Sequence, residues 1–164
     1  MKKQILTFLH FAFTFSLCSA QHDSTMAFHY KTDKYDCAIF SKKYTDAYTG
    51  GKHFSPTRDD IDKAEYALTQ NLLLQTDTTR QIGFIYRNLK RYQRQYFGYI
   101  ADNGHKVLYI SLLWAEDKAS MKDWLTTVVE VDGGGAYYWK IKYDMDTNTL
   151  YDMKINPSDD QTKN

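Results

Sequence analysis

Three consecutive glycines, Gly133, Gly134 and Gly135, form the motif that most resembles a site of chemistry. Glycine-rich loops can hold phosphate when they lie between a strand and a helix N-terminus, usually with Lys and Ser or Thr following. Here AYYWKIKYD follows, and residues 136–144 alternate between an apolar and a mixed face, which is typical of a half-buried strand. We therefore predict that the glycines form a hairpin corner between strands at 125–131 and 136–144, where they supply positive φ.

A second motif has the spacing of calcium ligands. Positions one, three, five and nine of such a loop are matched by Asp144, Asp146, Asn148 and Asp152. The match then fails, because Thr149 stands where the sharp turn needs Gly and Ile155 where a bidentate Glu should close the shell. We therefore predict an Asx-rich hairpin turn between two strands, with no metal and no cofactor.

Cysteine and histidine are the remaining candidates for catalysis. The apolar flanks in DCAIF favour a buried Cys37, and no family signature supports a nucleophile pair of Cys37 with His29, His53 or His105. His53 or His105 with a nearby carboxylate would give a hydrolase its acid–base pair. No pairing of carboxylates is visible at helical or strand spacing, so we assign no catalytic, cofactor or metal residue.

One basic cluster interrupts an otherwise balanced chain: Arg80, Arg87, Lys90, Arg91 and Arg94. It is either a solvated face or a docking patch for an acidic protein or an anionic glycan. Without Lys2 and Lys3 the 21 basic residues become 19 against 20 acidic ones, so the net charge is about −1. This balance argues against nucleic acid as a partner. The 14 tyrosines and three tryptophans are numerous enough to fill a core and still supply a binding surface.

Residues 1–20 have the layout of a bacterial signal peptide. Lys2 and Lys3 precede an apolar run at 5–17, and cleavage is expected between Ala20 and Gln21. The run is about 13 residues, shorter than the roughly 20 that a membrane-spanning helix needs. Cys18 leaves a lipid anchor open, although Leu17 is larger than the residue that usually precedes an acylated cysteine. The expected location is the periplasm or the outside of the cell.

The rest of the chain divides into three parts. Residues 21–54 are weakly patterned, with one short strand at 36–40, and residues 157–164 are a flexible tail. Residues 55–156 carry the α+β pattern, beginning with a helix at 57–75 that Ser55 caps and Pro56 opens. Its apolar stripe is Ile61, Ala64, Leu68 and Leu72.

The pattern in the second half of residues 55–156 predicts strands. An irregular or helical entry leads into a strand at 92–101, and Asn103 and Gly104 predict a type I′ hairpin turn. The near-continuous apolarity of KVLYISLLW indicates a central returning strand, and LYDMKI predicts the last one.

Together these elements predict one long helix packed on a four- to five-stranded antiparallel meander sheet. This order is similar to the layout of cystatin or NTF2-like domains, as a likeness of fold only. The cystatin inhibitory pattern, a Gln-x-Val-x-Gly turn with a later Pro-Trp, is missing, and in RQYFGYI Gly98 falls within a strand. No cystatin residue or activity is carried over.

The preferred hypothesis is an exported non-catalytic binding domain that engages a protein or glycan through an aromatic-rich sheet face, with a protease or toxin inhibitor as a special case. The alternative is a small hydrolase with a pocket between helix and sheet. A structural envelope component is the third hypothesis.

Overall fold

The computed structural model describes residues 27–44, 52–75, 81–117, 119 and 121–158. Several predictions fall outside these ranges: the signal peptide with its cleavage point at Ala20 and Gln21, the lipid anchor at Cys18, and most of the tail. Arg80 of the basic cluster also lies outside them.

The centre of the fold is a seven-stranded mixed sheet in the order β1-β2-β4-β5-β6-β7, with β3 also paired to β4. Its strands are β1 (Ala27–Lys31), β2 (Asp36–Phe40), β3 (Lys52–Phe54), β4 (Tyr92–Ile100), β5 (Lys106–Trp114), β6 (Tyr138–Asp144) and β7 (Thr149–Ile155). Strand β2 runs parallel to β4, with Asp36 opposite Gln93, and the other pairs are antiparallel. The predicted antiparallel meander of four or five strands under one helix is therefore wrong.

The error has a physical origin in β1, β2 and β3, which come from the weakly patterned residues 21–54. Strand β2 is buried on both faces, so it lacks the alternation that identifies a half-buried strand. Its pairing with β4 joins residues far apart in the chain, and no local pattern encodes such a partner. The predicted strand at 36–40 is confirmed, but its place beside β4 is decided by packing.

Two helices cover one side of the sheet. Helix α1 (Arg58–Asn71) continues as a 3-10 turn (Leu72–Leu74), and α2 (Gln81–Arg87) is followed by a 3-10 turn (Leu89–Arg91). The predicted stripe is confirmed, because Ile61, Ala64, Leu68 and Leu72 are all fully buried.

The predicted cap of α1 is wrong. Thr57 is the N-cap residue and forms a capping box with Asp60, whose amide donates to Thr57 Oγ1 while its carboxylate accepts from the Thr57 amide. Ser55 instead accepts a hydrogen bond from the Lys42 amide. A nearer Thr with a carboxylate three residues later satisfies two amides, where a lone Ser would satisfy one.

The hairpin between β4 and β5 is confirmed, but its turn type is not I′. Gly104 has φ of 86°, whereas Asn103 does not have positive φ. The Gly104 amide donates to the Ala101 carbonyl, and the Ala101 amide donates to the His105 carbonyl. A three-residue loop of this kind places its glycine last, in the left-handed region.

Residues 125–131 do not form the predicted strand, and the glycines are not a hairpin corner. Both edges of β5 are already paired, to β4 and β6, so residues 125–131 have no edge of β5 to join. Their backbone is held by the buried side chain of Gln95, which donates to the carbonyls of Trp124 and Thr127 and accepts from the Val129 amide. The three glycines do have positive φ, but they lead into a single 3-10 turn (Gly135–Tyr137) before β6.

The β6–β7 corner is the predicted Asx-rich turn. Asp144 Oδ1 accepts from the amides of Asp146 and Thr147, and Asn148 adopts a φ of 57°. Strand β6 alternates between buried and half-buried positions as expected. Tyr137 falls within the predicted strand at 136–144, but it lies before β6 in the structure and is exposed.

The main core lies between the sheet and the helices. A smaller cluster of Ala38, Phe40 and Phe97 lies on the opposite face, against Trp124, Leu125 and Val128 of the long β5–β6 connection. Within the described part of the chain, no helix combines the length and apolarity needed to cross a membrane.

Candidate functional site

A cleft of about 970 Å³ lies between α1, the β1–β2 turn and the segment that follows α2. Its walls share a high content of tyrosine: Tyr30, Tyr35, Tyr66 and Tyr86. Helix α1 contributes Tyr66 and Gln70 at i and i+4, so both side chains lie on one face of the helix. The cleft is thus built by local helix geometry on one side and by a turn on the other.

The floor of the cleft is a buried ion pair. Helix α1 places Glu65 within its buried face, and β4 directs Arg94 toward it, with Arg94 Nε 2.8 Å from Glu65 Oε1. The two atoms form an ion pair, but the N–H of Arg94 Nε does not point at the carboxylate oxygen well enough to make a hydrogen bond. Tyr96 completes the cluster by donating its hydroxyl to Glu65 Oε1 at 2.6 Å, and burial raises its pKa well above the usual value.

Both terminal nitrogens of Arg94 donate hydrogen bonds, and Nη2 also reaches Glu65 Oε2 at 3.4 Å. Nη2 donates to the Leu89 carbonyl at 3.0 Å, and Nη1 donates to the Tyr92 carbonyl. Arg94 therefore ties the turn after α2 to β4 and to α1. Its main role in the cleft is to fix the shape of the floor.

A second carboxylate, Asp62, stands one turn before Glu65 on α1. The hydroxyls of Tyr35 and Tyr30 both donate to Asp62 Oδ1, the latter at 3.2 Å. Burial, and then the hydrogen bond to Asp62, raise the pKa of Tyr35 far above its usual value. Tyr35 therefore remains a neutral donor, and the β1–β2 turn is fastened to the helix.

Sequence reasoning missed this pair of carboxylates at i and i+3. The available signal was Glu65 itself, a charged residue beside the apolar stripe positions Ala64 and Leu68. A carboxylate at such a position requires a buried partner. That its partner is Arg94, 29 residues later, could not be read from spacing.

The predicted basic cluster is divided by the fold. Arg87 and Lys90 line the cleft beside the buried Arg94. Arg91 points elsewhere: its guanidinium lies over the Trp114 ring at 4.4 Å and pairs with Glu116. Lys34 reaches the same cleft from the β1–β2 turn. The sequence cluster is therefore not one continuous patch.

None of the three histidines within the described ranges lines the cleft. His53 lies in β3 opposite Tyr99, and His29 Nε2 lies 2.6 Å from Asp36 Oδ1. His105 Nδ1 lies 2.7 Å from Asp144 Oδ2, at the far end of β5. The structure gives His105 a carboxylate partner, as the hydrolase hypothesis asks, but away from the cleft.

Potential ligand atoms of His105, Asp144 and Asp146 all lie within 4.8 Å of one another, a set that could hold a metal ion. Asp144 Oδ1 already accepts two amides of its own turn, and Asp146 Oδ2 accepts the Lys106 amide at 2.7 Å. These hydrogen bonds give both carboxylates a structural role: Asp144 stabilises the β6–β7 turn, and Asp146 links that turn to the start of β5. Asn148 and Asp152 of the calcium-like spacing point away, to Tyr143 and Lys142 respectively.

Cys37 is buried, as predicted. Its thiol donates to the Tyr30 carbonyl at 3.3 Å, and burial raises the pKa of the thiol above its usual range. Cys37 does not line the cleft.

The predicted aromatic sheet face is smaller than expected. Phe97 is covered on this face by Tyr44 and by the residues around Trp124, leaving Tyr99, Tyr109 and Tyr151. Lys142 lies between Tyr109 and Tyr151 in register, and its ammonium is 5.8 Å from the Tyr151 ring.

Comparison with known proteins finds no matching family model, no matching curated protein and no matching solved structure. The candidate site therefore rests on its geometry.

Proposed function

We propose that this chain is an exported, small, non-catalytic binding domain that takes a protein or glycan ligand in the tyrosine cleft. The observation that supports this proposal is the convergence of four tyrosines, from β1, the β1–β2 turn, α1 and α2, on one cleft of about 970 Å³. Tyrosine suits such a role, because its rigid ring offers apolar area. The hydroxyls of Tyr30 and Tyr35 donate to Asp62 and that of Tyr86 donates to the Thr69 carbonyl, so the rings are the main surface that these side chains offer a ligand.

The position of exposed aromatic surface favours the cleft over the sheet face as the contact region. Tyr66 is 69% exposed and Tyr86 is 37% exposed at the cleft, whereas on the far face of the sheet Tyr151 is 37% exposed and Tyr99 only 9%. Large exposed aromatic side chains mark interaction sites more often than buried ones. The proposed contact region therefore moves from the sheet face to the cleft.

The chemistry of the cleft favours binding over catalysis. A general acid or base must reach the substrate with a group that can exchange a proton. Both oxygens of Glu65 face Arg94, and Oε1 also accepts from Tyr96. Glu65 is thus committed to the fold, and Asp62 Oδ1 already accepts from the hydroxyls of Tyr30 and Tyr35.

A glycan array and a pull-down from the producing organism's envelope fraction test the proposal, using the chain from Gln21 onward. Tyr66→Ala and Tyr86→Ala should each weaken binding of any hit by about tenfold, which is a loss of roughly 1.4 kcal/mol. Tyr151→Ala is the matched control, because Tyr151 is also 37% exposed but lies on the sheet face. Loss of binding in Tyr151→Ala alone would return the contact region to the sheet face, and no reproducible ligand would reject the proposal.

The hydrolase remains the second candidate, favoured only by Asp62, which lines the cleft and is exposed. A panel of glycoside and ester substrates should give no turnover with the intact chain. Turnover that disappears in Asp62→Asn, and persists in His53→Ala and His105→Ala, would replace the binding proposal with this one.

A further inference from the structure

The cleft contains cations for which the described residues provide no carboxylate partner. Lys34 lies in the β1–β2 turn, and Arg87 and Lys90 lie at and after the end of α2. No described carboxylate lies within 4.0 Å of these three side chains. They therefore stand apart from Arg94, whose charge Glu65 neutralises.

The acidic groups of the same cleft are mostly engaged. Glu65 pairs with Arg94, and Asp62 Oδ1 accepts from two tyrosine hydroxyls. Of the residues that line the cleft, Asp33 is the other acidic one. After the buried pair is set aside, three cations from two elements face two carboxylates, so the cleft has an excess of positive charge. Such an arrangement attracts a ligand with an anionic group.

We propose that the ligand is an acidic oligosaccharide, whose carboxylate or sulfate group is held by Lys34, Arg87 and Lys90 while its sugar rings pack on Tyr66 and Tyr86. This inference rests on the proposed function and names its ligand class. A sugar ring has an apolar C–H face that packs on an aromatic ring, and hydroxyls that bond to groups such as the Gln70 amide. Lys and Arg make charge-assisted bonds to carboxylate and sulfate oxygens.

The backbone of the cleft argues against an extended peptide as the ligand. Peptides that add a strand to a sheet need a row of free backbone amides and carbonyls. In the β1–β2 turn the amides of Lys34 and Tyr35 already donate to Thr32 Oγ1, and the Thr32 amide donates to the Tyr35 carbonyl. The other lining residues come from β1, the two helices, the 3-10 turn after α2 and β4. We expect recognition to depend on their ring faces, amides and charges.

Calorimetric titration with matched ligands tests the inference. Oligogalacturonate and its methyl-esterified form share one backbone and differ in charge, and dextran sulfate fragments and dextran do the same for sulfate. At least one acidic ligand should bind about tenfold or more tightly than its neutral counterpart, and its affinity should fall as salt is raised. The two pairs show whether the anionic group is a carboxylate or a sulfate.

Charge-removing variants locate the interaction. Lys34→Gln and Lys90→Gln should each weaken the acidic ligand by roughly tenfold. The loss should be larger for the acidic ligand than for its neutral counterpart, and both lysines are exposed, so their replacement should not disturb the core. Lys122→Gln removes an equal charge from an exposed position outside the cleft and should have no effect.

Each other outcome overturns the inference in a recognisable way. Equal affinity for acidic and neutral forms rejects the anionic group but leaves a glycan-binding cleft. Binding of a poly-glutamate peptide or an envelope protein in place of the sugars rejects the oligosaccharide but leaves the proposed binding function. An equal loss in Lys122→Gln shows unspecific charge attraction, and no binding of any ligand or protein rejects both proposals. The salt dependence of the unaltered chain gives a result even where a variant fails to fold.

Discussion

Arg94 Nε lies 2.8 Å from Glu65 Oε1, with only 1% of the Arg94 side chain and 8% of the Glu65 side chain exposed to solvent. The two charges join β4 to α1 across the floor of the cleft. A buried charge without its partner is costly, since desolvation is no longer offset by attraction. The pair is therefore the electrostatic feature on which the shape of the cleft depends most.

Removing one member of this pair should destabilise the fold strongly. Glu65→Gln leaves the Arg94 charge buried without a counter-charge and should lower the free energy of unfolding by about 3–5 kcal/mol in urea titrations. Tyr96→Phe is the control, because it removes one hydrogen bond to the same carboxylate and should cost only about 1–3 kcal/mol. A double variant, Glu65→Leu with Arg94→Met, should recover much of the loss. If Glu65→Gln lowered the free energy of unfolding by less than Tyr96→Phe does, the ion pair would not be what stabilises the floor of the cleft.

Two glycines should respond to alanine with opposite signs. A Cβ at Gly98 would lie 2.8 Å from the Phe54 carbonyl oxygen and from its ring, so Gly98→Ala should cost about 1–3 kcal/mol by forcing β3 away from β4. At Gly83, within α2, the nearest atom within reach is the flexible Arg87 Nη1 at 3.4 Å. Gly83→Ala should therefore stabilise by about 0.5–1 kcal/mol through helix propensity. Thermal unfolding of the two variants checks both signs, and stabilisation by Gly98→Ala would contradict the close approach of Phe54.

Stability should depend on pH through His105 and Asp144. Their hydrogen bond raises the pKa of His105 above its ordinary 6.5, against a smaller effect of burial. The contribution of His105 to stability is thus fully present below about pH 6.5 and is lost as pH rises through the higher folded pKa. Burial alone would raise the pKa of Asp144, but hydrogen bonds from His105 and from two turn amides hold it below 3.8. Its contribution is present above pH 3.8 and is lost as pH falls through the lower folded pKa.

Unfolding measured from pH 6 to pH 8.5 should therefore show a decline in stability that is smaller in His105→Gln. Asp144→Asn tests the same pair from the other side. Asparagine keeps an oxygen that can accept the two turn amides, but it removes the charge beside His105. It should flatten the profile in the same way. A slope that neither variant changes would show that the pair does not contribute to the pH dependence.

Cys37 should be inert in the folded protein. Its thiol is fully buried, donates to the Tyr30 carbonyl, and has a pKa raised by burial, so little thiolate forms. In the chain from Gln21 onward it is the single thiol. Ellman's reagent at pH 8 should react with it slowly in buffer and with one thiol per chain in guanidinium, with Cys37→Ser as the blank. Rapid reaction in buffer would place the thiol at the surface.

Much of the local structure was predictable because it depends on neighbours in the chain. The stripe of α1, the alternation of β6 and the Asx turn at Asp144 follow from side-chain period and turn chemistry, which act over a few residues. The glycines illustrate the limit. Their positive φ was predicted correctly, but the hairpin assigned to them was wrong. A hairpin there requires a strand at 125–131, and the backbone of that region instead hydrogen-bonds to the side chain of Gln95.

The cleft could not be predicted from the spacing of residues along the chain. Asp62 and Glu65 were visible as neighbours on a helix, but their significance depends on Tyr35 and Arg94, which come from other elements. Likewise, the basic cluster was visible as a run, yet the fold buries Arg94 and turns Arg91 onto Trp114, so only part of the run reaches the cleft.

Local sequence patterns were enough to predict α1 and most strands, the buried face of α1, and the burial of Cys37, whereas the α2 region was left open as irregular or helical. Tertiary structure decided the parallel pairing of β2 with β4, the partner of Glu65 and the existence of the cleft. The physical reason is range: backbone propensity and periodicity act within a few residues, whereas burial and charge pairing are satisfied by whichever residues the folded chain brings together.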